Sequence, residues 1–230
     1  MRRHRFQAVE RVIEAAELLG DLAEEVVFTG GAAVGLLITD PTVPAVRPTL
    51  DIDVIVEVAS LAEYYRLQER LRGKGFMESM EDKVICRWRH GSIILDVMPT
   101  DEKILGFANR WYAEAVRNAQ ELTVSGVKLR LVTPAYFLGI KLEAFQGRGK
   151  SDFMLSQDME DIVAVLDGKP EIVEEVRKAK GDIRAYLAIE LGKLLADRDF
   201  LDALPGHLPG DAANQQRVPI ILERMQVIVS

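Results

Sequence analysis

The run Asp51-Ile52-Asp53-Val54-Ile55-Val56 constrains this chain more than any other stretch. Its branched apolar residues call for a buried strand, yet two carboxylates stand inside it at i and i+2. Side chains alternate faces along a strand, so Asp51 and Asp53 share one face while Ile52 and Val54 take the other. Two ionised carboxylates placed this way raise each other's pKa unless a cation lies between them. A divalent metal is the simplest such cation. Alone, the pair reads more readily as exposed edge-strand or turn aspartates, so its surroundings decide.

Ahead of the pair, Val26–Thr29 reads as a short buried strand, Gly30-Gly31 as the turn out of it, and Ala32–Ile38 as a compact helix of small residues. Lacking Cβ, two glycines let backbone N–H groups approach an anion, and the helix start offers the same donors to phosphate. Behind the pair, Ser92–Met98 reads as a strand with Leu95 and Val97 on one face and Asp96 on the other. Lying beside Asp53, that strand would add a third carboxylate. Buried ionised groups are costly unless paired or metal-bound, and hard oxygen ligands suit Mg2+ or Mn2+ shared with a substrate phosphate.

The rest of the chain supplies a scaffold. Apolar residues at helical spacing run from Phe6 to Leu19, with Gly20 as the stop. Pro41, Pro44 and Pro48 make Asp40–Pro48 a loop, and Leu50–Val58 is the strand bearing the aspartate pair. A helix over Ala62–Arg72 precedes two strands, Val84–Trp88 and Ser92–Met98, joined at His90-Gly91. Phe107–Gln120 reads as an amphipathic helix, and Ser125-Gly126 as a hairpin turn between Leu122–Val124 and Val127–Val132. Thr133-Pro134 then starts a helical series: Pro134–Phe145, Gln157–Leu166, Pro170–Ala179 and Ile183–Leu195. A loose stretch with Pro205, Gly206, Pro209 and Gly210 follows, with a last helix before Val229. Strands mixed with helices, then helices alone, mean α/β or α+β, divided as residues 1–132 and 133–230.

Composition removes several function classes. The net charge of −7 argues against a protein that coats nucleic acid by charge alone, though Arg66–Lys74, Arg87–Arg89 and Lys141–Lys150 form local basic clusters. No apolar run approaches the roughly 20 residues a bilayer requires, so no membrane partner is expected. The basic start, Met1-Arg2-Arg3-His4-Arg5, is not followed by an apolar segment and does not read as a secretory signal. The single cysteine, Cys86, excludes an internal disulfide and fits a reducing cytoplasm. Three scattered histidines provide no zinc spacing.

Gly30-Gly31, then Arg47-Pro48-Thr49-Leu50-Asp51-Ile52-Asp53, then Asp96 resembles the pattern of the DNA polymerase β-like nucleotidyltransferase superfamily, and within it the AbiEii/AbiGii toxin-type nucleotidyltransferases. Lys141-Leu142-Glu143-Ala144-Phe145, Arg148 and Asp158-Met159-Glu160-Asp161 are similar to that family's second, helical motif. The likeness runs from about Val26 to Val165. It departs from the usual pattern in a longer segment between Gly31 and Asp51 and in an insertion containing Gly147, Gly149 and Phe153, beside Lys150 and Asp152.

The resemblance implies an α+β fold, a mixed β-sheet flanked by helices with a helical C-terminal part. It implies a cytoplasmic enzyme moving an NMP from an NTP to an acceptor hydroxyl with Mg2+ or Mn2+. Asp51, Asp53 and Asp96 would hold the metals, with Asp96 helping to deprotonate the hydroxyl and Lys141 neutralising the triphosphate. Gly30, Gly31, Arg47, Thr49, Arg148, Asp158 and Asp161 would bind the nucleotide. The expected acceptor is tRNA, met by Arg87–Arg89 and Lys141–Lys150, with a cognate antitoxin as partner. The alternatives are a small cationic acceptor such as an aminoglycoside-like antibiotic, or a nucleotide- or partner-binding module without turnover. The oligomeric state has no signal in the sequence.

Overall fold

The computed structural model describes residues 3–43, 47–78, 85–148 and 152–230. Pro44, the strand start expected at Val84, Gly149 and Lys150 lie outside the described residues. Two compact units make up the chain: Arg2–Gly35 with Arg47–Thr133, and Leu36–Val46 with Pro134–Ser230.

The first unit is built on a sheet. Helix α1 (Arg3–Leu19) is followed by β1 (Val26–Thr29), α2 (Gly30–Leu37, whose first six residues belong here), β2 (Asp51–Val56) and α3 (Leu61–Gly73). Then come β3 (Met77–Glu78), β4 (Arg87–His90), β5 (Ile93–Pro99), the short helices α4 (Glu102–Leu105) and α5 (Tyr112–Arg117), and the hairpin β6 (Gln120–Val124) and β7 (Val127–Leu131). The strands order as β3-β4-β5-β2-β1-β7-β6. β2 is parallel to β5 and β1 to β7, and the remaining pairs are antiparallel, so the sheet is mixed.

Local chemistry accounts for these elements. Helix α1 buries Ala8, Val12, Ala15, Ala16 and Leu19, one face at helical spacing. Ser60 caps α3 by accepting from the Glu63 N–H, and α3 buries Tyr64, Leu67 and Leu71. The β6–β7 turn has positive φ at both Ser125 and Gly126, the twist that a two-residue hairpin needs. Central strands β1, β2 and β5 carry fully buried apolar side chains, among them Phe28, Ile52, Ile55 and Leu95.

The helix expected over Phe107–Gln120 is reduced to α5. Gly106, at φ +81, ends α4 in the left-handed region, and the Asn109 side chain accepts from the Trp111 N–H to open α5 late. Gln120 belongs to β6 instead, paired with Leu131. Strand pairing outcompetes the weak amphipathic pattern there. The Gly30-Gly31 turn is also absorbed into a helix, since both residues lie in the first turn of α2.

The second unit is helical: α6 (Pro134–Arg148), α7 (Gln157–Gly168), α8 (Ile172–Lys178), α9 (Ile183–Ala196), α10 (Arg198–Ala203), α11 (Ala212–Gln215) and α12 (Val218–Val229). Asp197 and Asp211 cap α10 and α11, so the stretch after α9 is more ordered than its prolines and glycines suggest. Leu36–Val46 joins this unit through hydrogen bonds. The Thr39 and Asp40 N–H groups both donate to the Gly168 carbonyl at 3.0 Å. Arg217, at the start of α12, donates to Asp167 at 2.7 Å and to Asp40 at 2.9 Å. Among the described residues no helix is long and apolar enough to cross a membrane.

Burial pushes Asp167 above its ordinary pKa against the pull of Arg217. Asp40 is held at about 2, first by its bond from Thr42 and further by Arg217. Replacing Arg217 by Met strands the Asp167 carboxylate, and we expect urea unfolding at pH 7 to show a loss of about 3 kcal/mol. A carboxyl with a raised folded pKa favours the folded state below that pKa, and one with a depressed pKa favours it above. Losing Arg217 raises both groups, so the deficit should be largest at neutral pH and shrink as pH falls toward 4. A deficit that grows on acidification would contradict this assignment.

Candidate functional site

Strand register sets one row of side chains across four neighbouring strands. Arg87 on β4 is opposite Asp96 on β5, Asp96 is beside Asp53 on β2, and Asp53 is opposite Thr29 on β1. Paired residues project to the same face of a sheet. Asp51, two residues before Asp53, shares that face. The structure therefore brings the three sequence-predicted carboxylates together on the sheet, and adds two residues.

The first addition is Arg87. Its Nε donates to Asp96 Oδ1 at 2.8 Å and its Nη2 to Asp96 Oδ2 at 2.7 Å, a two-point fork. The same Nη2 donates to Asp51 Oδ2 at 3.1 Å. Asp51 Oδ1 accepts from the Thr49 hydroxyl at 2.8 Å, so both oxygens of Asp51 are oriented. The sequence places Arg87 in a basic cluster facing an acceptor, but its guanidinium faces the aspartates. The second addition is Thr29. It is 2% exposed, and its hydroxyl has no hydrogen-bond partner among the described residues. A buried hydroxyl left unpaired is costly in an ordinary core.

Asp53 leans across the start of α2. Gly30 has φ +69, and a Cβ built there would lie 1.8 Å from Asp53 Oδ2. Glycine is needed twice over, for the backbone conformation and for room for the carboxylate. Gly31 is buried in the same helical turn. Arg47 lies half-buried in the segment leading to β2. Burial, then the charges of Asp96 and Asp53, pushes the Cys86 thiol up to about 12, so Cys86 is a small core residue and not a nucleophile.

As the side chains stand, no three His, Cys, Asp or Glu among the described residues gather closely enough to hold a metal ion. The donor set itself fits a hard divalent cation: three carboxylates on one face and an unpaired buried hydroxyl in the same row. Arg87 holds the position between Asp96 and Asp51 in this arrangement.

The helical unit brings together the other predicted residues. Lys141 on α6 has its Nζ 2.6 Å from Asp161 Oδ2 and 3.2 Å from Asp158 Oδ1, both on α7. Arg148, at the end of α6, forks onto Asp158 with two bonds of 2.9 Å. Lys141 is buried, and Arg148 is largely exposed. Burial works to raise Asp158, but the Arg148 bond and the Lys141 charge outweigh it and hold its carboxyl below the ordinary range. This network clamps α6 to α7. Asp152 accepts from the Leu155 N–H at 2.9 Å, in the turn that precedes α7.

Comparison with protein-family models and with curated proteins finds no match. Among solved structures, the chain is similar to an antigenic nucleotidyltransferase-like protein from Paracoccidioides brasiliensis. The TM-score is 0.51 at 21% identity, over 85% of this chain and 90% of that one. JHP933 from Helicobacter pylori is matched with a TM-score of 0.48 at 12% identity, over 97% of this chain and 92% of that one. The first likeness is one of fold, and the fold is nucleotidyltransferase-like.

Two substitutions test the local geometry by chemical denaturation. Gly30→Ala should lose more than the roughly 1–2 kcal/mol of left-handed backbone strain, because it also displaces Asp53. A loss below 1 kcal/mol would mean that Asp53 does not press on Gly30. Lys141→Met removes the ammonium between two buried aspartates and should cost about 3–5 kcal/mol. A neutral result would free Lys141 from the structural role described for it.

Proposed function

We propose that this protein is a metal-dependent nucleotidyltransferase that moves an NMP from an NTP to an acceptor hydroxyl. The observation that carries the reading is the in-register placement of Asp53 and Asp96 on adjacent parallel strands, with Asp51 on the same face and the α2 start beside them. Three carboxylates gathered on one sheet face suit a site for cationic chemistry.

Asp51, Asp53 and Asp96 would hold Mg2+ or Mn2+, which supplies charge neutralisation for the triphosphate and activates the acceptor oxygen. The chain's own part is positioning. Thr49 orients Asp51, and Gly30 leaves room for Asp53 beside the backbone N–H groups of the α2 start. In the transfer, the acceptor oxygen forms a bond to the α-phosphorus while the bond to the β-phosphate oxygen breaks. Asp96 takes the hydroxyl proton, and pyrophosphate leaves with the electron pair. The nucleotide roles that the family resemblance gives to Arg47, Lys141, Arg148, Asp158 and Asp161 belong to this reading. Arg148 is the solvent-exposed cation of its group.

For the acceptor, tRNA and a toxin-like role restrained by a cognate antitoxin follow the AbiEii-type resemblance. A small cationic acceptor is the second reading. It is favoured by the pairing of Arg87 and of Lys141 with two aspartates each, which withdraws both from a basic RNA-facing surface.

The test is incubation with each α-labelled NTP, Mg2+ and either total tRNA or a panel of aminoglycosides. One acceptor should become labelled, and Asp53→Asn should lower the rate by about 1000-fold, the scale expected when several kcal/mol of transition-state stabilisation are lost. Undiminished transfer by the variant would refute the site.

A further inference from the structure

Arg87 does something in the carboxylate row that the transfer chemistry does not require. Its guanidinium uses both oxygens of Asp96 and one of Asp51, and its side chain is only 17% exposed. Asp96, at 9%, is more buried still. A planar fork with two short bonds to a buried carboxylate is among the stronger ion pairs a protein makes. It meets the need for positive charge that the row creates, without any metal.

The fork and a metal ion ask for the same oxygens. A divalent cation on Asp96 would bind an oxygen that now accepts an Arg87 N–H, and it would sit beside a fixed positive charge in a partly buried site. We propose that Arg87 is a built-in counter-ion of the row, and that a divalent cation binds by exchanging with its guanidinium at Asp96 and Asp51. The proposal rests on the metal-dependent reading of the site and adds a competitor to it.

Three features of the structure support the exchange. Among the described residues, the present arrangement contains no cluster of three ligands gathered for a metal, although three carboxylates share one face. The guanidinium spans two strands, reaching Asp96 on β5 and Asp51 on β2, so one movement would release two ligands. The Thr29 hydroxyl stands in the same row without a hydrogen-bond partner among the described residues, so the row has acceptor capacity that Arg87 does not use. Arg87 is a positioning residue here. It holds Asp96 and Asp51 in place when no metal is bound, and it weakens the affinity for free metal.

The experiment measures Mn2+ binding to the intact protein by electron paramagnetic resonance, for wild type, Arg87→Gln, Arg87→Lys and Asp53→Asn. Arg87→Gln should bind Mn2+ at least about tenfold more tightly than wild type, Arg87→Lys should fall between them, and Asp53→Asn should bind weakly. A second measurement needs no variant. The Arg87 Nε–H resonance of the wild-type protein should leave its carboxylate-bonded position as Mg2+ is added. Equal or weaker Mn2+ binding by both Arg87 variants, or an Arg87 signal unmoved at saturating Mg2+, overturns the exchange and leaves the metal-dependent reading standing. Failure of every protein, wild type included, to bind Mn2+ overturns both.

Discussion

Like charges on adjacent strands must be matched by a cation, and much of this protein's sheet is organised around that requirement. Parallel pairing of β2 with β5 sets Asp53 beside Asp96, and the alternation of β2 adds Asp51. Each carboxylate is then met by a specific partner: Arg87 forks onto Asp96, Thr49 and Arg87 share Asp51, and Gly30 gives Asp53 room against the α2 backbone. The hairpin that delivers Arg87, the helix start that begins with glycine and the register of the central strands all serve one electrostatic problem.

The helical unit answers the same problem in a closed form. Lys141 and Arg148 satisfy Asp158 and Asp161, and Arg217 satisfies Asp40 and Asp167. These networks tie helix to helix, or helix to the Leu36–Val46 segment. In the sheet row, Arg87 forks onto Asp96, and the buried Thr29 hydroxyl has no hydrogen-bond partner among the described residues. In the proposed exchange the Arg87 ion pair gives way to a cation, whereas the buried Lys141 between two aspartates ties α6 to α7.

Much of this was legible in the residues. The strand Asp51–Val56, the Ser125-Gly126 hairpin and the Pro134 helix start each carry a local physical signal, and the structure has all three. Asp51 and Asp53 on one face follow from alternation alone. The partnership of Asp53 with Asp96 does not, because a parallel crossover of many residues leaves register undetermined by local pattern. Arg87 could have been found: the turn at Gly91-Ser92 pairs His90 with Ile93, and the same register carries back to Arg87 opposite Asp96. Its place in a basic cluster suggested a surface for an acceptor, and the hairpin arithmetic points inward instead. Thr29 had no distinguishing signal, since a threonine ending a buried strand is ordinary. The Phe107–Gln120 stretch misled because its apolar spacing outlasts the helix, which Gly106, Asn109 and the β6 pairing confine to Tyr112–Arg117.

The carboxylate row is proposed as a divalent-cation site for nucleotide chemistry. Anomalous diffraction at the manganese edge, from crystals grown with Mn2+ and a non-hydrolysable nucleoside triphosphate, tests it most directly. A manganese peak ligated by Asp51, Asp53 and Asp96, with Arg87 withdrawn from Asp96, is the expected result. A nucleotide-bound structure with manganese elsewhere and the Arg87 fork still closed on Asp96 would contradict it.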